Sequence, residues 1–448
     1  MTTELAQQEN KYAAAFDQVL AAQTGEPAWL RSARESAFAE FSASGFPTVD
    51  LEEWKYTNVA AIAKTSFEPV LSANGTSLGK QDALAPYSYP ETSHSRLVFV
   101  NGIFRQDLSD TSDLSAGIVA VDLNEAASDK KYEAVLRRAV EREAQTNGFV
   151  SLNTALFSGG LFMQITRDHV VAAPIHLLFV AEAQNGTAPA ALPRVVIHAE
   201  ANSQATIIES YAGSGSGAYL TNAVIDFELA DSARISHYRL QREGAKGFHV
   251  STTRAELGAK ASYETTSINF GAAISRHNVE VRMDHEGAEC AVDGLYMVDE
   301  SQHTDTHSVI DHRQPHCNSR QLYKGILDGK SRAVFNGKVF VRHGAQQTDA
   351  QQTNKNLLLS KEAQVDTKPQ LEIYADDVKC THGAAVGQLE EDELFYLESR
   401  GINPTLAKNM LTYGFAGEVI EKIKIESIRR ELDEVVLNRL HSEFQLES

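Results

Sequence analysis

A repeat of constant length in the middle of the sequence constrains the fold most. From Ala199 to about Lys368, short polar turns that contain a small residue recur, and each leads into a run of alternating apolar and polar residues. A constant period of strands and turns is typical of a β-solenoid, in which each coil buries its inner face against its neighbours. We therefore predict a β-solenoid rather than a large β-sandwich, which repeats short strands without a constant period. The copies are marked by four alanines spaced by 28, 28 and 27 residues, and by two later small residues: Ala205, Ala233, Ala261, Ala288, Ser331 and Ala363.

The segments on either side of the repeat have different patterns. Helical spacing of apolar residues dominates residues 1–70, and a linker rich in serine, glycine, proline and tyrosine follows at 72–95. Strand patterns begin at Arg96 with a hairpin signal at Asn101-Gly102, and one helix interrupts them between about Lys131 and Gln145. Three helices follow Gln388, and we expect them to cover the end of the solenoid. The predicted organisation is a helical region with a linker at 1–95, a β-core with one inserted helix at 96–388, and a helical C-terminal domain at 389–448.

Charge, hydropathy and cysteine content argue against nucleic-acid binding, membrane insertion and secretion. The 448 residues carry a net charge of −19, which disfavours nucleic acid and anionic membranes as partners. No apolar run approaches the ~20 residues that span a bilayer, and the N-terminus lacks the regions of a secretory signal. Three well-separated cysteines, Cys290, Cys317 and Cys380, argue against a disulfide framework. We expect a cytoplasmic protein with reduced thiols that holds no iron–sulfur cluster permanently by itself.

The strongest candidate for metal chemistry lies near the end of the repeat. The residues from Lys368 alternate apolar and polar side chains, turn at Asp376-Asp377, and reach Cys380-Thr-His382-Gly. On an extended segment, Cys380 and His382 share one face, with their Cα atoms about 6.6 Å apart. Two such ligands are only half of a tetrahedral iron or zinc site. The alternative from spacing alone is a buried cysteine beside a solvated histidine in a turn.

A group of histidines allows a zinc hypothesis. If the strand is unbroken, His303 and His307 lie on one face and His312 and His316 on the other, next to Cys317. The helical H-E-x-x-H arrangement of zinc proteases is absent from the sequence. Polar histidines on a solenoid face are the alternative interpretation.

Enzymatic motifs are weak. The run from Gly325 to Ser331 has three residues between its glycines, where a phosphate-binding loop needs four, so we expect no ATP hydrolysis by this chain. A β-helix that cuts carbohydrate would use convergent carboxylates, and the sequence offers candidates without showing that any two converge. These are Asp284, Asp293, Asp299, Asp305 and Asp311.

Several blocks of sequence together resemble a known family. They include Cys317-Asn-Ser-Arg-Gln321, Arg332-Ala-Val-Phe-Asn336-Gly, the run from Val365 to Gly383, and Glu53-Trp54-Lys55-Tyr56-Thr57. In these blocks the chain resembles the SufB/SufD family of iron–sulfur cluster assembly proteins, and Lys379-Cys-Thr-His-Gly383 resembles the SufD branch rather than SufB. The resemblance covers most of the chain. It implies a right-handed parallel β-helix between helical N- and C-terminal segments.

The resemblance also implies a function. It describes a scaffold subunit of the SufBCD complex without its own catalytic site, paired with SufB and coupled to the SufC ATPase. Cys380 and His382 would lie at the junction with SufB and share a transient iron–sulfur cluster with it. SufC would dock on the C-terminal helices, for which we select Ile402, Met410, Phe415 and Glu418. Whether the isolated chain forms a homodimer stays open, and a β-helix carbohydrate-active enzyme is the alternative.

Overall fold

The fold is a parallel β-solenoid with helices at both ends of the chain. The computed structural model describes residues 2–72, 81–114, 117–142, 147–183 and 186–441. Strands contain 42% of the residues and helices 27%, and about eight coils occupy residues 160–387. The predicted β-solenoid is therefore confirmed and the β-sandwich alternative is wrong, while the sense of winding rests on the resemblance.

Two long sheets form the walls of the solenoid, because each coil contributes one strand to each sheet. Within both sheets, strands of successive coils pair in parallel. Sheet A contains β1 Glu68–Pro69, β4 Ile118–Asp122, β5 Gly160–Ile165, β7 Pro189–Ala191, β8 Arg194–Ala199, β10 Tyr219–Leu229, β12 Gly247–Leu257, β14 Ile274–Met283, β16 His303–His312, β18 Arg332–Val341 and β20 Gln364–Ile373. Sheet B contains β2 Arg96–Val100, β3 Ile103–Phe104, β6 Ile175–Ala183, β9 Gln204–Gly215, β11 Arg234–Arg242, β13 Ser262–Asn269, β15 Glu289–Val298, β17 Asn318–Leu327, β19 Thr348–Leu358 and β21 Val378–Gly387.

The repeat in the sequence corresponds to one corner of each coil. A residue with positive φ turns the chain there, as Ser232 and Lys260 do with φ of 59° and 55°, and a small buried residue follows. Ala233, Ala261, Ala288 and Cys317 are the stacked small residues of this corner.

The first and the last two copies of the predicted repeat were assigned incorrectly. Ala205 pairs with Ile235, so Ser203 is the true counterpart of Ala233. Ser331 and Ala363 precede β18 and β20, which belong to the opposite sheet.

Helices pack around the outside of the solenoid. They are α1 Thr2–Ala22, α2 Ala28–Ser44, α3 Ala60–Lys64, α4 Leu123–Ser128, α5 Glu133–Glu141, α6 Gly148–Leu156, α7 Glu391–Ser399, α8 Pro404–Ile420 and α9 Glu426–His441. Short 3-10 turns occupy Glu52–Trp54, Gln81–Tyr87, Pro90–Thr92 and Gln106–Leu108. Among the described residues, no helix is both long enough and apolar enough to cross a bilayer.

Some predicted details are confirmed and others are wrong. The hairpin at Asn101-Gly102 is present, with both residues at positive φ between β2 and β3. The core at 96–388 contains three helices, α4 to α6, rather than the one predicted, and the predicted end at Gln145 lies outside the described residues. Residues 73–80 of the predicted linker also lie outside them.

The C-terminal helices do not cover the end of the solenoid, contrary to the prediction. Ile420, Ile428 and Leu432 join a cluster with Leu240 and Leu295, which face outward from sheet B. α8 and α9 therefore lie along the outer face of sheet B, because both faces of its central strands are apolar. The last coil stays uncovered among the described residues.

Candidate functional site

The last coil of the solenoid ends in two open strand edges. β20 is the terminal strand of sheet A and β21 that of sheet B, so within the described residues each has a paired neighbour on one side only. Their residues are half-buried or exposed, whereas equivalent residues of the preceding coil are mostly buried. An edge strand presents unpaired backbone N–H and C=O groups to any further strand that approaches it.

Cys380 and His382 lie on β21, as the sequence predicts, and share one face of the strand. In the parallel register, Cys380 pairs with Ala350 of β19 and His382 pairs with Gln352. Both partners are buried in the interior, and Cys380 itself packs against the hydrophobic core. The face shared by Cys380 and His382 is thus the inner face of the last coil, at the mouth of the solenoid.

The two side chains have different environments. His382 is exposed, whereas Cys380 is partly covered and burial raises the pKa of its thiol. The thiol is therefore protonated at neutral pH and would lose its proton on binding a metal. A thiol and an imidazole at an open edge form half of a tetrahedral set, and a chain that covers the edge can supply the other half.

The histidines from 303 to 316 do not form a metal site. His303 and His307 lie on the outer face of β16, whereas His312 points inward and its Nε2 lies 2.9 Å from Ser319 Oγ. His316 lies in the corner turn, and the Cys317 thiol faces the carbonyl of His285. Across the described part of the chain, no three histidine, cysteine or carboxylate side chains converge in a way that could hold a metal. These histidines therefore do not supply the ligand set of the zinc hypothesis within the described residues.

The weak enzymatic motifs are structural parts of the solenoid. The run from Gly325 to Ser331 is the end of β17 and a turn, and β18 rather than a helix follows it. Four of the candidate carboxylates pair with basic side chains and keep the coils and helices together. The pairs are Asp293 with Lys422 at 2.6 Å, Asp305 with Arg276 at 2.7 Å, and Asp311 and Asp284 with Arg313 at 2.8 and 2.9 Å.

Residues 52–57, here called the strap, cross the outer face of sheet A. Trp54 is buried with the Arg276 guanidinium 3.7 Å from its ring, and the Arg276 Nη1 donates to the Glu53 carbonyl at 2.8 Å. Thr57 Oγ1 donates to Asp305 at 2.5 Å. The strap thus anchors the N-terminal helices to the solenoid.

The acidic end of the strap reaches the last coil. Lys338 on β18 and Lys368 on β20 bind Glu53 and Glu52, each at 2.5 Å. His307 lies 3.3 Å from Glu53, and its hydrogen bond, followed by that of Lys338, lowers the pKa of the Glu53 carboxyl to about 2. Sequence reasoning missed these lysines, because solitary lysines on a strand carry no pattern that identifies a distant partner.

We expect the strap to give acid-sensitive stability. A carboxyl with a lowered folded pKa stabilises the fold above its unfolded pKa of about 4.3, and this contribution disappears as pH falls towards 2. Glu53→Gln should lower the melting temperature at pH 7 by up to about 2 °C, since the carboxylate is partly exposed. Differential scanning calorimetry from pH 7 to pH 3 should show the difference shrinking. The exposed pair of Glu35 with Arg31 supplies the control Glu35→Gln, and an equal, pH-independent shift in both variants would contradict the prediction.

The C-terminal helices present an apolar surface. Phe395 and Tyr396 on α7 are 72% and 57% exposed, and Leu406 and Met410 on α8 are 44% and 46% exposed. We call these four residues the α7–α8 patch. Acidic side chains lie in the first turn of α7, and α7 contacts α8. Large exposed apolar side chains on adjoining helices are typical of protein-binding surfaces.

The predicted docking residues fall on different sides of α8. Met410 belongs to the α7–α8 patch, and Ile402 is half-buried in the turn before α8. Phe415 faces the solenoid, because Lys324 Nζ lies 4.4 Å from its ring centre and donates to its carbonyl at 2.9 Å. Glu418 forms an ion pair with the same lysine. Phe415 and Glu418 therefore hold α8 against sheet B.

Fold and edge together define a class of protein: a β-solenoid with an open end, where a thiol and an imidazole share the inner face of the terminal strand. Comparison with known families gives the particular one. The SufBD core domain of the SUF iron–sulfur cluster assembly system matches residues 179–415, and the SufBD N-terminal region matches residues 6–177. The chain belongs to the SufBD family of iron–sulfur cluster assembly proteins.

Relatives agree with this assignment over most of their length. The chain is 36% identical to an iron–sulfur cluster assembly SufBD family protein of Synechocystis over 393 residues, which are 86% of this chain and 85% of that protein. It is 33% identical to the iron–sulfur cluster assembly protein SufD of Escherichia coli, over 87% of this chain and 88% of SufD. It is 30% identical to the chloroplastic protein ABCI7 of Arabidopsis thaliana, over 89% and 84% of the two chains.

Proposed function

We propose that this chain is the SufD-type scaffold subunit of a cytoplasmic SufBCD complex. In this role it has no catalytic site of its own, pairs with SufB through its last coil, and carries the SufC ATPase on its C-terminal helices. The iron–sulfur cluster is its cargo and is held only transiently, between this chain and SufB. The likeness to SufD and the half ligand set at the open end together support this function over a carbohydrate-active enzyme.

The observation that carries the proposal is the open edge of β20 and β21 with Cys380 and His382 beside it. A partner with its own β-solenoid can continue both sheets, because the strand edges already have the required direction and spacing. Ile373, Tyr374 and Val386 are exposed on this coil and would be buried by such a partner. Pairing would bring the partner's own ligands to the mouth of the solenoid, where Cys380 and His382 lie.

A shared site also suits a scaffold that must release its product. Four thiolates from one chain would retain a cluster, since metal binding to a complete preformed set is tight. Here burial raises the pKa of the Cys380 thiol, and in the part of the chain that the structure describes no third histidine, cysteine or carboxylate joins Cys380 and His382 in a group that could hold a metal. Movement of the partner relative to this chain would therefore break the site and free the cargo.

The α7–α8 patch is the proposed docking surface for the ATPase. It lies on the two helices that directly follow the last coil. Only three residues separate β21 from α7, so a movement of the docked ATPase would displace the end of β21. Lys324 ties α8 to β17 through Phe415 and Glu418. Movement of a docked ATPase would consequently reach the edge strands through the chain and through this contact.

Co-purification tests both halves of the proposal. The wild-type chain, co-expressed with SufB and SufC, should bring down both proteins. A Phe395→Glu/Met410→Glu variant should retain SufB but bind SufC at least about tenfold more weakly, because central apolar side chains dominate such interfaces. Val170→Glu, at an exposed apolar position at the other end of the solenoid, is the control and should retain both. Undiminished binding of SufC by the double variant would refute the docking surface, and a wild-type chain that binds neither protein would refute the function.

A further inference from the structure

A chain of hydrogen bonds inside the solenoid leads to the candidate site. Gln352 on β19 donates through Nε2 to Gln321 Oε1 at 2.7 Å, and Gln321 on β17 donates through Nε2 to Ser308 Oγ at 2.8 Å. Each amide thus donates away from the open end. At the open end of this row of hydrogen bonds, the side-chain carbonyl oxygen Oε1 of Gln352 accepts no hydrogen bond from the described residues.

Gln352 is well placed to act on His382. It is 2% exposed, and its Oε1 is buried without a hydrogen-bond partner among the described residues. His382 is its register partner on the next strand, and both residues occupy inward positions, about 4.8 Å apart along the hydrogen-bonding direction. A buried carbonyl without a donor is costly, and a neighbouring imidazole N–H can satisfy it.

The backbone beside Gln352 is adapted to its side chain. Gly337 on β18 faces the amide, and a Cβ at that position would lie 2.4 Å from Gln352 Nε2 and 2.8 Å from Phe335 Cζ. Glycine is unfavourable in the interior of a strand and often marks the close approach of another group. Gly337 therefore leaves the space that the Gln352 amide occupies, so the amide position is specified from two strands.

We propose that Gln352 is a positioning residue for His382. Its Oε1 accepts a hydrogen bond from one ring nitrogen of His382 when the partner covers the mouth of the solenoid. That bond fixes the tautomer and the ring orientation, so the other ring nitrogen presents its lone pair to the iron of the cargo. Ligating histidines in metal sites commonly donate their second N–H to a carbonyl or carboxylate in this way. The proposal rests on the proposed function of His382 and extends it to a residue of another strand.

The test uses the full complex with SufB and SufC, reconstituted anaerobically with ferrous iron and sulfide. Gln352→Leu should reduce the amount of cluster assembled about tenfold or more. Gly337→Ala should give a loss in the same direction by displacing the amide, and it provides a second variant if Gln352→Leu folds poorly. Gln351 directly precedes Gln352 and is exposed on the outward face of β19. Gln351→Leu is therefore the control, and its complex should assemble clusters normally.

A double-mutant cycle separates positioning from a structural role. If Gln352 acts through His382, adding Gln352→Leu to His382→Ala should cause no further loss, whereas an independent structural effect would add to it. Nuclear magnetic resonance of isotope-labelled histidine in this chain, bound to unlabelled SufB, gives a spectroscopic readout. His382 should show a single tautomer in the wild type and a mixture in Gln352→Leu.

Failure of the positioning role and failure of the proposed function give different results. Additive losses, or the same tautomer state with and without Gln352, would overturn the positioning role even if His382 proves essential. Normal assembly by His382→Ala would overturn the proposed function of the site itself, together with this inference.

Discussion

Replacing His382 with alanine is expected to reduce cluster assembly on the complex at least tenfold while SufB stays bound. The imidazole would be one of four ligands, and even residues that only orient a ligand are worth about 10- to 100-fold in affinity or activity. The backbone of β21, which would pair with the partner, is unchanged by the substitution. The measurement is the visible absorbance of the reconstituted complex, with SufB retention checked by size-exclusion chromatography.

Thr381→Ala is the matched control for this experiment. Thr381 lies on the same strand between Cys380 and His382, and alternation along the strand points its side chain to the opposite face. The control should assemble clusters normally. Full assembly by His382→Ala would contradict the ligand role, whereas equal losses in both variants would indicate that the edge strand itself, rather than the imidazole, was disturbed.

The repeat was predictable because the corners repeat a physical requirement. Each corner needs a left-handed residue and then a small side chain that fits inside the turn, so Ser232-Ala233 and Lys260-Ala261 look alike in the sequence. The error at Ala205 has the same origin. Serine is also small enough for the corner, and Ser203 occupies it, so the regular spacing of alanines does not mark this corner.

The elements that the sequence did not predict lack a periodic signal. α6, from Gly148 to Leu156, is buried all round, Ser151, Asn153 and Thr154 included. Its sequence therefore does not separate into a buried apolar face and an exposed polar face. The surface against which α8 and α9 pack was also not predicted. Their amphipathic pattern shows that one face is buried but not against what, and the run Leu295-Tyr-Met-Val298 was the available clue that β15 is covered on both sides.

The pair Cys380 and His382 was predictable from alternation along a strand, whereas their neighbour Gln352 was not. The parity of two residues on one strand follows from its geometry alone. The register between β19 and β21 depends on the number of residues in the intervening coil, which varies along this solenoid. A glutamine in a strand therefore carries no sign, before the structure is known, that it lies under a candidate ligand.

Asp226→Asn is expected to cause a large loss of stability. Asp226 on β10 is fully buried and faces three guanidinium groups. Its oxygens lie 2.9 Å from Arg194 Nη2, 3.0 Å from Arg254 Nε and 3.9 Å from Arg142 Nη1. Removing one partner of a buried ion pair costs about 3–5 kcal/mol, because the remaining charge is left uncompensated. The lower end of that range corresponds to a fall in melting temperature of roughly 5–10 °C.

Asp231→Asn supplies the matched control. Asp231 lies at an exposed corner and accepts a hydrogen bond from the Ala259 N–H through Oδ1, a bond that asparagine can also accept. The control should melt within about 1 °C of the wild type, since exposed substitutions of this kind change stability little. A fall of that small size in Asp226→Asn would show that the three guanidinium groups do not depend on the carboxylate.

The location of the damage should be as informative as its size. Arg194 also donates to the Ala139 carbonyl at 2.9 Å and to Thr154 at 3.2 Å, so the cluster around Asp226 holds α5 and α6 against the first coils. Hydrogen exchange should therefore accelerate in α5, α6 and β8. Because each coil contacts mainly its neighbours, exchange in β19 and β21 should stay unchanged below the melting transition. Cluster assembly at Cys380 and His382 should then survive in Asp226→Asn at low temperature, whereas in His382→Ala it should be reduced at every temperature.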